Sequence, residues 1–135
     1  MNLKTSVLHE VDEDWNLQLL KNYSSTTYQT SNWAQVYQKV YGSKPVFILV
    51  EKPNGELVAQ LTAVIHNQYF WVKSNLLTQT LGVRLNLRTY IDWFYGPIIY
   101  DELLTDAALK EVLLALERLA KNQKATMLRG TFHPS

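Results

Sequence analysis

Apolar positions change their spacing several times along the chain, and each change marks an element. Leu3–His9 alternates loosely and predicts a first strand. Asp12 is placed to cap a short helix over Glu13–Lys21, where Trp15 and Leu19 lie one helical step apart. Tyr23–Thr30 is polar, rich in Ser and Thr, and reads as a connector. Ser31 is the expected cap of a second helix, Asn32–Tyr41, which Gly42 closes. Trp33, Val36, Tyr37 and Val40 fall on one face of that helix.

Pro45 ends the helical stretch, and Val46–Val50 is a dense apolar run of the buried-strand type. Asn54-Gly55 is the strongest hairpin signal in the chain and joins that run to Glu56–His66. Gln68–Val72 extends the meander. Ser74–Arg88 has few periodic apolar residues and reads as a mobile connection. Ile91–Tyr95, aromatic and β-branched, predicts the central strand, interrupted by Gly96-Pro97. Pro97 has no backbone N–H and Gly96 is free to adopt a conformation other residues avoid, so the strand is expected to open there. The expected result is a gap of the kind in which α/β proteins place ligands; an ordinary turn is the alternative.

Thr105 is the expected cap of the longest helix, with Asp106 in its first turn. Leu109, Val112, Leu113, Leu116, Leu119 and Ala120 form its apolar stripe, and Lys121–Lys124 ends it. Ala125–Phe132 is the last predicted strand, parallel to Ile91–Tyr95 through a right-handed crossover. The class is α/β (α+β), a mixed sheet flanked by helices. The final strand is either an edge, open to pairing with a second copy, or is covered by something outside this chain.

Composition narrows the function. With 135 residues, 47% hydrophobic and 19% charged, the chain is one folded domain or part of one. A net charge of +1 sets up no field for nucleic acid or anionic lipid, and DNA is not an expected partner. The absence of cysteine excludes disulfides and thiolate chemistry and fits a reducing compartment. Met1–Thr5 lacks the apolar run of a signal peptide, and no run of about 18 apolar residues predicts a membrane span. A cytoplasmic location is the expectation. His9, His66 and His133 have no ligand spacing, so no metal is expected. Neither a Ser-His-Asp nor a Gly-x-Ser-x-Gly pattern is visible.

Three stretches together resemble a known family. Gln29-Thr30-Ser31-Asn32-Trp33-Ala34-Gln35-Val36 is similar to a Gln-Ser-x-x-Trp helix opening. Phe47–Ala59 is similar to a strand–hairpin–strand. Tyr95-Gly96-Pro97-Ile98-Ile99, the Leu-rich helix and Met127-Leu128-Arg129 resemble a Gly-Pro-Val strand, helix and Leu-Arg strand. These are features of the Fem-type peptidoglycan interpeptide-bridge aminoacyltransferases, within the GNAT acyltransferase superfamily. The resemblance spans most of residues 28–130 and implies a single GNAT-like domain over 1–135, its N-terminal portion, without the last helix and two strands of the fold. It implies transfer of an amino acid from aminoacyl-tRNA to a peptidoglycan precursor. Two departures are visible: Gly130-Thr131-Phe132-His133 stands where the family continues with a hydrophobic residue, Asp and Pro, and Asp101 comes later than the family's Asp. Ile98–Asp106 contains no Gly, so it lacks the loop that cradles a coenzyme A pyrophosphate; no cofactor is expected.

Acyl transfer to an amine needs a base, or water acting for one, and donors for the oxyanion. Tyr95 and Asp101 are the catalytic candidates: Tyr95 to donate to a carbonyl or position an amine, Asp101 to act as base or orient the amine. A core tyrosine and a turn aspartate are the alternatives. Trp33, Tyr37, Gly96 and Arg129 are the substrate-binding candidates. Trp33 and Tyr37 form either a platform for sugar or peptide or a core pair, and Arg129 either binds a phosphate or carboxylate or is an edge-strand charge. Asp92 needs a partner if it faces the core. Two other functions fit: an assembly domain that dimerises through its open strand, and a small-molecule N-acetyltransferase, disfavoured by the missing phosphate loop.

Overall fold

The computed structural model describes residues 2–69 and 86–131. Its elements are β1 (Lys4–Leu8), α1 (Asp14–Leu20), a 3-10 turn (Thr27–Gln29), α2 (Ser31–Tyr41), β2 (Lys44–Glu51), β3 (Leu57–Tyr69), β4 (Asn86–Trp93), β5 (Ile98–Ile99), a second 3-10 turn (Glu102–Leu104), α3 (Thr105–Gln123) and β6 (Met127–Gly130). They build a six-stranded mixed sheet in the order β1-β2-β3-β4-β6, with β5 paired to β3. All pairings are antiparallel except β4 with β6, which are parallel as the crossover predicts. The class read from the sequence holds.

The Asn54-Gly55 turn forms as expected: Gly55 takes φ 84°, and the Asn54 side-chain oxygen accepts from Glu56 N at 3.1 Å. The long run of apolar β2 and β3 residues is explained by coverage on both faces. On one face α3 lays Ala108, Val112, Ala115, Leu116 and Leu119 against Val46, Ile48, Leu61, Ile65 and Ile91. On the other, Trp15 and Leu19 of α1 and Ala34 of α2 pack with Phe47 and Ile98.

Four expectations are corrected at helix boundaries and faces. Thr30, not Ser31, caps α2: its extended backbone sits one residue earlier, and its Oγ1 accepts from Trp33 N at 3.2 Å. Thr105 lies inside α3, because a 3-10 turn precedes it and Asp101 caps that turn, accepting from Leu103 N at 3.1 Å. The apolar stripe of α3 is rotated, leaving Leu113 half exposed while Ala108 and Ala115 enter the core, since short side chains let the helix approach the sheet. In α2 likewise, Ser31 and Ala34 are buried while Val36 and Val40 are exposed.

Of the segment read as a mobile connection, 74–85 lies outside the described residues, and Arg88 belongs to β4. The continuation expected over Gln68–Val72 is described only as far as Tyr69, where β3 ends, and Phe132 also lies outside. Among the described residues no helix is long and apolar enough to cross a membrane. β6 stands at one end of the strand order, all its residues exposed, Met127 and Leu128 included.

Candidate functional site

The break falls where Gly96-Pro97 predicts it. The β3–β4 ladder stops at Ala63 opposite Trp93 and resumes with Gln60 opposite Ile98, so residues 94–97 leave the sheet. Gly96 has φ 106°, and a Cβ there would lie 3.1 Å from Gln29 Nε2 and 3.2 Å from Ile98 N, so both backbone and space call for glycine. The gap expected at this point is filled, because the Gln29 side chain packs against Gly96 and both residues are buried.

Phe94 and Tyr95, carried out of the ladder, meet aromatic residues from α2 and its leading turn. Tyr28 stacks on Tyr95, centroids 5.6 Å apart with 13° between the planes, and Trp33 meets Tyr28 at 5.0 Å. Tyr37 lies 5.8 Å from Trp33, 4.7 Å from Phe94 and 5.7 Å from the His66 ring. Trp33, Tyr37 and Tyr95, singled out separately in the sequence, therefore share one aromatic line, with Gly96 beside it. Among the described residues no hydrogen-bond partner holds the Tyr95 hydroxyl. Burial is the first cause that raises the Tyr37 phenol above its ordinary range, followed by the nearby Tyr41 and Asp92.

Register explains the charged floor beside this line. Asp92 pairs with Val64 on one side and Arg129 on the other, and His66 sits two residues from Val64, so all three side chains share the α2 face. Arg129 donates through Nε and Nη2 to the two Asp92 oxygens at 2.9 and 2.8 Å. This fork supplies the partner that buried Asp92 requires and commits the guanidinium that the sequence offered to a substrate anion. His66 Nε2 lies 3.4 Å from Asp92 Oδ2, and its Nδ1 lies 2.6 Å from Ser43 Oγ.

A Ser-His-Asp line invisible in the sequence thus exists in space. Ser43 is 2% exposed, which denies its hydroxyl an approaching substrate, and the line is read as a structural tie. The carboxylate only accepts, so Nε2 carries the proton and Nδ1 accepts from the Ser43 hydroxyl.

Burial holds His66 below its ordinary pKa, with Asp92 opposing and Arg129 reinforcing the shift. The folded state therefore favours the neutral ring. Between the ordinary value of 6.5 and the lower folded value, the unfolded chain binds more proton. Stability is complete above pH 6.5 and falls as pH drops through that window, by at most about 1.4 kcal/mol per pH unit for one proton. Denaturant melts of the wild type and His66→Gln between pH 7.5 and 5 (roughly the range over which histidine charges) should show a shallower slope for the variant.

Asp101 sits elsewhere. Besides capping its turn it pairs with Lys52 Nζ at 3.0 Å, and Lys52 also holds Glu56 at 2.9 Å. Lys52 is the first cause keeping the Asp101 carboxyl below its ordinary range. These contacts of Asp101 do not reach the aromatic line. Its neighbour Tyr100 donates to Gln60 Oε1 at 2.8 Å, and burial pushes its phenol up to about 12.

Gln29 belongs to the stretch Gln29–Val36 but is not among the site candidates that the sequence offers. It is 2% exposed. Its side-chain oxygen accepts from Thr26 N at 2.6 Å, and its backbone oxygen accepts from Trp15 Nε1 at 3.0 Å and from the Thr62 hydroxyl. The signal that could have found it was the motif itself, which places it four residues before Trp33. Among the described residues no group of three or more His, Asp or Glu is arranged to hold a metal ion.

No family model matches the chain, and no curated protein does. Among solved structures, an acetyltransferase from Trypanosoma brucei aligns with a TM-score of 0.52 at 16% identity, over 99% of this chain and 84% of that one. Strand order, the parallel β4–β6 pair and this likeness agree on the fold, a mixed sheet flanked by helices similar to that of the trypanosome acetyltransferase.

Proposed function

We propose that the chain is the N-terminal portion of an acyltransferase that moves an aminoacyl group from aminoacyl-tRNA to an amine of a peptidoglycan precursor. The observation that carries this reading is the convergence of Trp33, Tyr37 and Tyr95 beside the Gly96 break, with the Tyr95 hydroxyl uncommitted among the described residues. In the proposed step the acceptor nitrogen attacks the acyl carbon, the ester C–O bond breaks, and the proton from nitrogen goes to the leaving oxygen. Tyr95 donates to the acyl oxygen or hands on that proton. His66, with both ring nitrogens engaged, is not the base. Arg129 holds Asp92 and through it the floor beneath Tyr37, and Asp101 shapes the turn before α3.

Charge weighs against a coenzyme A donor, although at a net +1 it gives no support of its own to a tRNA. Asp101, Glu102 and Asp106 crowd the start of α3, and no glycine brings backbone N–H groups together there. Carboxylates at that position oppose a pyrophosphate. The acceptor class rests on the Fem-type resemblance of residues 28–130 and on nothing narrower.

Full-length gene product incubated with charged tRNA and a muropeptide precursor should transfer the amino acid, and Tyr95→Phe should slow it about 10²-fold, as loss of one such donor does elsewhere. No transfer from any aminoacyl-tRNA sinks the reading. The likeness to an acetyltransferase favours a second one, N-acetylation of a small amine, and the same assay with acetyl-coenzyme A separates the two. The exposed β6 edge is proposed as a pairing surface for a second copy. A monomer in sedimentation at high concentration removes it.

A further inference from the structure

Two buried N–H groups have no partner among the described residues: Gln29 Nε2, which packs against Gly96, and Trp33 Nε1, in the first turn of α2. Buried donors are almost always satisfied, so each of the two calls for an explanation. Gln29 is not loosely placed: its side-chain oxygen and backbone oxygen are both occupied, which fixes the amide with its NH2 toward Gly96. Trp33 is fixed as well, its backbone N–H bound to the Thr30 cap and its ring on Tyr28. Tyr28, stacked on Tyr95 and edge-on to Trp33, is 42% exposed.

Resting on the acyl-transfer reading, we propose that Gln29 Nε2 and Trp33 Nε1 donate hydrogen bonds to the acyl carbonyl oxygen of the donor ester, which is admitted when the Tyr28 ring turns away from Tyr95. Two neutral donors suit an oxygen that gains negative charge as the amine attacks, and they are held rigidly before the substrate arrives. The chemical class follows from the donors. They take a carbonyl or oxyanion oxygen, and they offer nothing to an ammonium group, which has no acceptor.

The probe is 3′-alanylamino-3′-deoxyadenosine, an amide mimic of an aminoacylated 3′ end that keeps the carbonyl and cannot be transferred. In nitrogen–proton spectra of the full-length protein, saturation with the probe should move the Trp33 indole and Gln29 amide proton signals downfield. Trp33→Phe keeps an aromatic, though smaller, side chain and removes the donor; Gln29→Glu keeps the acceptor for Thr26 and removes the NH2. Each should weaken probe binding about tenfold, the size expected from one hydrogen bond. If the Glu variant fails to fold, Trp33→Phe and the two signals still decide. Saturable binding that leaves both signals in place overturns this assignment and leaves the acyl-transfer reading standing. No binding, together with no transfer from aminoacyl-tRNA, overturns both.

Discussion

Replacing Arg129 by Met is expected to cost the fold about 3 kcal/mol, more than replacing Asp92 by Asn. The asymmetry comes from exposure. The Asp92 side chain is 13% exposed and the Arg129 side chain 59%. Without the guanidinium, a buried carboxylate keeps, among the described residues, His66 at 3.4 Å. Without the carboxylate, Arg129 turns into water, and the loss should be about 1–2 kcal/mol, the cost of a charged hydrogen bond. Urea unfolding of the two variants measures the difference, and equal losses would show that the buried charge is not what the pair protects. A second readout is independent of stability. Arg129 helps to hold the His66 pKa down, so Arg129→Met should raise it in an NMR titration.

Gly130→Ala should cost about 2–3 kcal/mol, although a glycine-to-alanine change in a strand ordinarily helps. A Cβ at residue 130 would fall 1.6 Å from the Trp93 ring, and Trp93 is its direct partner across the parallel ladder. That ring is 8% exposed and belongs to the core packed under α3, so it cannot yield as a surface side chain would. A thermal melt and a near-ultraviolet spectrum of the variant test this together. An unchanged melting temperature with an unchanged tryptophan signal would show that the ring moves freely. The same geometry accounts for one departure from the Fem-type pattern: a hydrophobic residue after the Leu-Arg pair has no room beside Trp93.

The sheet was legible because its signals are local. Val46–Val50, the Asn54-Gly55 turn and the run to His66 each state their own structure, and the pairing of neighbours follows. The break at Gly96 was legible for the same reason. What could not be read was which side chains meet across long separations. Asp92 and Arg129 are 37 residues apart, as are the strands that align them, and each looked incomplete alone. Helix faces failed differently. Leu113 and Val36 fit the apolar period, but small residues one step around, Ala115 and Ala34, allow closer contact with the sheet and set the rotation. Trp33, Tyr37 and Tyr95 stand out in the sequence for their chemistry, and their meeting depends on a strand leaving the ladder. Gln29 was hidden because polarity predicts exposure, and only a buried polar group reverses that expectation.

The Asp92–Arg129 fork has a consequence for the chain's last described strand. Among the described residues β6 joins the sheet through β4 alone, over Met127–Gly130, with every one of its residues open to water. One guanidinium therefore tethers that strand and also sets the electrical surroundings of His66, three ångströms and a half from the same carboxylate. Fraying at one margin of the molecule and proton uptake beneath α2 draw on a shared free energy, so a disturbance of either is felt by the other.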